Sequence, residues 1–172
     1  MEWTKRDVFH KALGEFMTES STLENVMFGI IFARVRGEFY AVLGEFLKKT
    51  FGPKIDWYEE VCQNATFTPE QQARLDESCI LLRDLLPKRN LIIHGQTYQI
   101  GRGDEPSEMY RIGIKKDDSE YLNKFVADFN AEHGFNTAKI EATTAFTKSI
   151  REKIAEVSVE LMNEAVAKSS PP

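Results

Sequence analysis

Between Pro69 and Gly95, apolar side chains recur at alternating spacings of four and three: Leu75, Cys79, Leu82, Leu86 and Ile93. That rhythm is the seam of a long helix buried along one side, and few folds other than a helical bundle accommodate it. The seam position between Leu86 and Ile93 is Arg89. A guanidinium on a core-facing stripe must be paired, wetted or set in a cleft, because an unpaired buried charge costs several kcal/mol or more. Asn90 and His94 lie one turn apart, so they share a face beside the seam. Arg89 sits about 140° round the helix from His94, within leaning distance for a long side chain. A histidine closing an apolar run also suits a helix cap or a satisfied core position, and both readings stand on spacing alone.

The remaining sequence reads as helical scaffold. Thr4 with Asp7 opens a first helix carrying Phe9, Leu13, Phe16 and Met17, expected to end near Glu19-Ser20. Ser21 with Glu24 repeats the capping pattern and opens a second helix expected to run to about Thr50 and stop at Gly52-Pro53. Its apolar residues, from Met27 to Leu47, cover more than one face, as in a bundle centre or a dimer interface. A short helix is expected from Asp56 to near Asn64. Thr68-Pro69-Glu70-Gln71 launches the seam helix, with a threonine cap, proline at the first helical position and glutamine at the reciprocal one. Pro87 removes a backbone hydrogen bond inside that helix, so a kink is expected just before Arg89.

After Gly95 the period changes to two. Thr97–Ile100 and Tyr110–Ile114 alternate as strands around the Gly, Asp and Pro-containing loop at 101–106, a β-hairpin inserted at about 96–115. Asp118-Ser119 start a helix expected to end near Gly134. A last long helix from Asn136 or Thr137 carries Ile140, Thr144, Thr147, Ile150, Ile154, Val157, Leu161 and Ala165. Residues 1–168 are expected to form one domain, with 169–172 a disordered tail.

Cys62 and Cys79 are too few for a disulfide framework and suit a reducing compartment as small hydrophobes. The charged N-terminus lacks a signal-peptide pattern and no apolar run is long enough to span a bilayer, so a cytoplasmic protein without a membrane partner is expected. His10, His94 and His133 are isolated from one another and no Cys or His pair has zinc spacing, so neither a metal site nor a cofactor is expected. Arg102-Gly103-Asp104 reads as a turn. No Ser or Cys stands in a nucleophile motif. The net charge of −5 argues against a general nucleic-acid coat. Yet Arg83 to Lys116 holds seven Lys or Arg against four acids, with Asp117 and Asp118 following directly.

Arg89-Asn90, three residues, then His94-Gly95, at the end of a long helix in a mainly helical chain, resembles the Arg-x4-6-His signature of the HEPN superfamily. The likeness covers that motif and the helical context of roughly the central two thirds of the chain. It implies an all-α, up-and-down helical bundle of the HEPN type with a small inserted β-hairpin. It also implies a metal-independent endoribonuclease acting on RNA as a homodimer, in toxin–antitoxin, phage-defence or RNA-processing systems, with an antitoxin protein as a partner. Two motifs would then meet across the dimer to form one composite cleft. In that reading Arg89, Asn90 and His94 are catalytic. An imidazole changes charge near neutral pH and suits acid or base work, while Arg89 holds the phosphate with two donors. Arg83, Lys88, Tyr98 and Arg102 are candidates for holding the RNA strand. Several HEPN toxins place a Tyr two residues after the His; here that position is Gln96, and the nearest tyrosine is Tyr98. Other HEPN proteins have the fold without activity, so a non-catalytic interaction module is the alternative, with a small-molecule-binding bundle third.

Overall fold

The computed structural model describes residues 4–35, 37–100, 107–113 and 134–169. The expected helix from Asp118, the loop at 101–106 with Arg102, the strand end Ile114, the Ala165 side chain and the tail at 170–172 lie outside the described residues. Within them the chain is helical apart from one hairpin, in the order α1 (Lys5–Arg34), α2 (Phe39–Lys48), α3 (Phe51–Asn64), α4 (Pro69–His94), β1 (Gln96–Ile100), β2 (Glu108–Ile112) and α5 (Thr137–Ser169). No helix among the described residues is long and apolar enough to cross a membrane.

Two helix starts form as the capping chemistry demands. Thr4 and Asp7 exchange reciprocal hydrogen bonds, Thr4 N to Asp7 Oδ2 at 3.0 Å and Asp7 N to Thr4 Oγ1 at 3.2 Å. Thr68 and Gln71 do the same at 3.1 and 3.2 Å. At the start of α5, Asn136 Oδ1 accepts from Lys139 N at 3.0 Å.

The Ser21–Glu24 pattern, by contrast, does not open a helix, for α1 runs straight through it. Its buried stripe is continuous, Phe9, Ala12, Phe16, Ser20, Leu23, Met27 and Ile30, and a break at Ser20 would have scattered these residues off one face. The interruption comes instead between Arg34 and Phe39. There a side chain on Gly37 would meet Val42 Cγ2 at 2.9 Å, so glycine lets the connection lie close against α2. Gly52-Pro53 opens a helix rather than ending one. Proline in the first turn of α3 forfeits no helical hydrogen bond, and α3 therefore starts ahead of Asp56.

The chain divides into two compact units. One comprises Glu19–Leu86 and Phe146–Pro172, and five helical segments share its core. Leu23, Met27, Ile30 and Ile31 come from α1, Val42 and Phe46 from α2, and Phe51, Ile55 and Tyr58 from α3. Leu75, Leu82 and Leu85 come from α4, and Ile150, Ile154, Val157 and Leu161 from α5. Buried Lys54 of α3 pairs with Glu24 of α1 while its ammonium lies 4.7 Å from the Phe46 ring centre. Gln71 donates to Glu164 at 3.0 Å, Arg74 pairs with Glu160 at 2.8 Å and Lys153 with Glu77 at 2.9 Å, tying α4 to α5.

The other unit comprises the described parts of Met1–Thr18 and Pro87–Ala145. Phe9, Ala12 and Phe16 of α1 pack there with Ile92 of α4 and Ile140 of α5. Strands β1 and β2 pair antiparallel, with Tyr98 opposite Tyr110 and Gln96 opposite Ile112. On its other side Arg111 exchanges backbone hydrogen bonds with Phe135 at 2.9 and 3.0 Å.

The α4 seam keeps the expected Leu75 and Leu82 and differs by one residue at the positions expected for Cys79, Leu86 and Ile93. Gln71, Leu75, Ser78, Leu82, Leu85 and Ile92 are buried, while Cys79, Leu86 and Ile93 are half-buried on its shoulder. Ser78 can take a buried place because its hydroxyl donates to Leu75 O at 2.7 Å and accepts from the Tyr58 hydroxyl at 2.8 Å. In α5 the buried position is Thr143, with Thr144 half-buried beside it. Both hydroxyls bond back to carbonyls one turn earlier, so neither is an unsatisfied polar group.

Candidate functional site

The last two turns of α4 carry the motif. Arg89 stays on the seam in the observed register, four residues after Leu85 and three before Ile92, half-buried with its Nε out of solvent. Asn90 and His94 are both exposed, one turn apart on the same face. Neither side chain makes a hydrogen bond among the described residues. The amide and imidazole are therefore presented to solvent at the 5–6 Å spacing typical of such pairs, about right for two groups acting on one phosphate.

What fixes this helix end is Arg111, which sequence reasoning counted only as a charge. From β2 its Nε donates to Ile92 O at 2.8 Å, Nη2 to Ile93 O at 2.8 Å and Nη1 to Thr97 Oγ1 at 2.9 Å. The last carbonyls of a helix have no partners within it, and the planar fork satisfies two of them at once. Burial among these groups lowers the pKa of the guanidinium, though it stays charged.

Gly95 is fitted just as closely. Its N–H donates to Leu91 O at 2.8 Å, and a side chain there would come within 2.9 Å of Ile112 O and closer still to Leu91 O. Glycine after the histidine thus lets β2 press against the end of α4.

The other candidates are distributed unevenly. Lys88 is half-buried in the same unit as the motif. Tyr98, also half-buried there, donates its hydroxyl to Gln96 Oε1 at 2.7 Å and packs its ring with Ile100, Tyr110 and Ile112. Arg83 belongs to the other unit, where it pairs with Glu59 and with Asp56 at 2.7 Å. Hydrogen bonds donated to these two carboxylates raise its pKa and engage the charge that was expected to face RNA. Arg102 lies outside the described residues. Among the described residues no group of three or more His, Cys, Asp or Glu is arranged to hold a metal ion.

No protein-family model matches the chain, and neither does any curated protein or solved structure compared with it.

Proposed function

We propose that the protein is a HEPN-like endoribonuclease that cleaves single-stranded RNA without a metal ion, as a homodimer, in a toxin–antitoxin or phage-defence setting. The observation that carries this reading is the exposed pair Asn90 and His94, free of hydrogen bonds among the described residues, on a helix end that Arg111 and Gly95 hold in place. A rigid backbone presenting unsatisfied polar groups is what a site needs and what a mere helix terminus does not. Attack of a ribose 2′-OH on the adjacent phosphate requires one proton removed, one delivered and the developing charge held. His94 transfers a proton, Asn90 orients the phosphate or the imidazole, and Arg89 leans from the seam to meet the non-bridging oxygens. One histidine per motif supplies one of the two transfers, so a second copy of the motif completes the cleft. An antitoxin protein would silence it by covering the same face.

The half-burial of Arg89 on the seam favours a second reading, a non-catalytic interaction module in which that residue is structural. The experiment is RNA cleavage in EDTA by wild type, His94→Ala and Arg89→Ala, with thermal unfolding alongside. On the nuclease reading His94→Ala loses cleavage while its stability stays within about 1 kcal/mol of wild type, as expected of an exposed side chain. Wild type that cleaves no single-stranded RNA, together with a loss of roughly 1–3 kcal/mol in Arg89→Ala, sinks the nuclease and leaves the module.

A further inference from the structure

Cys62 and Cys79 belong to different helices, α3 and α4, yet they line the same recess. Cys62 is 1% exposed and faces the core, whereas Cys79 is half-buried. Both line one surface recess of about 340 Å³, with Glu59, Asp76 and Arg83 on its walls. A small neutral molecule that enters the recess therefore meets the half-buried Cys79, with the buried Cys62 lining the same recess. On the core side the pair is backed by the Tyr58–Ser78 hydrogen bond, 2.8 Å long, which holds the same two helices in register. Two thiols that line one small recess, on helices tied to each other by an independent bond, are placed to be joined across it.

We propose that Cys62 and Cys79 form a reversible redox modification site, oxidised by a hydroperoxide to a disulfide that cross-links α3 to α4. The Cys79 sulfur attacks one peroxide oxygen; the O–O bond breaks and, with hydrogen peroxide, one water leaves, giving a sulfenic acid at Cys79. The Cys62 sulfur then attacks that sulfur and expels the hydroxyl as a second water. Two thiol hydrogens and two electrons have passed to the peroxide, and an external dithiol reverses the change by exchange. The neighbouring Cys62 thiol, burial, and the nearby Glu59 and Asp76 all hold Cys79 in its thiol form, so the pair reacts more slowly than an exposed cysteine. The site is independent of the ribonuclease reading.

The test is intact-mass analysis of the folded full chain after hydrogen peroxide, followed by denaturation and alkylation, with cleavage by protease to map the linked peptides. The expected result is a chain lighter by two hydrogen atoms, with no alkylated cysteine, a peptide joining Cys62 to Cys79, and full reversal by dithiothreitol. Cys62→Ser and Cys79→Ser should each abolish that mass loss. Two alkylated cysteines after treatment, a stable oxygen adduct on one sulfur, or bonds only between chains would each overturn the proposal.

Discussion

His94 and Gly95 are neighbours with opposite requirements. The imidazole is exposed, while Gly95 fills a gap that has no room for a methyl group. Gly95→Ala should push the end of α4 from β2 and cost roughly 1–3 kcal/mol, the range for overpacking. Chemical denaturation read beside His94→Ala would show it; an unchanged midpoint for Gly95→Ala would mean that the two carbonyls move aside without cost. Asp7 shows the same economy at the other end of the chain. Hydrogen bonds from the Thr4 hydroxyl and then from its N–H hold the carboxyl below the ordinary aspartate range. A folded-state pKa below the unfolded one contributes stability that is present above the unfolded value and lost as pH falls through the folded one. Acid titration followed by amide shifts should therefore release the first turn of α1 below the ordinary aspartate pKa, and Asp7→Asn should flatten that step. A first turn whose amide shifts do not change across that range would contradict the assigned cap.

At the scale of the element, the informative contrast is between caps and seams. Thr4–Asp7 and Thr68–Gln71 were legible because every group involved lies within three residues. Ser21–Glu24 has the same local spelling but sits where Phe16, Leu23 and Met27 require uninterrupted helix, and burial outweighs a capping bond of about 1 kcal/mol. The α4 seam was legible to within one residue, and Arg89 falls on it in either register, because a four-three rhythm survives a shift of one at its polar interruption. Arg111 was not legible, since its partners Ile92 and Ile93 stand 19 and 18 residues away and only the folded hairpin brings it to them. Arg111→Lys keeps the charge but loses the planar fork, leaving helix carbonyls short of donors at about 1–3 kcal/mol. Hydrogen exchange should then accelerate selectively over the last turn of α4 and along β1. Uniform acceleration across the chain, or none, would count against Arg111 as the cap.

For the whole molecule, the proposed composite cleft would make activity a function of concentration. The exposed face of α2 presents Tyr40, 82% exposed, and Leu47, 65% exposed, seven residues apart on one side of the helix, with Phe39 alongside. Apolar side chains scattered singly need no explanation, but a row of them on one amphipathic helix is where self-association is expected. A symmetric dimer uses the same patch twice, so one substitution alters both halves of the contact. Leu47→Glu, at a side chain with little to lose on folding, should leave the melting temperature near wild type and weaken the proposed dimer. If cleavage needs two motifs, specific activity in EDTA should fall on dilution with the same midpoint as dimer dissociation by sedimentation, and Leu47→Glu should move both midpoints together to higher concentration. Loss of dimer with undiminished specific activity would show that one chain suffices and that His94 has its second proton-transfer partner within the same copy.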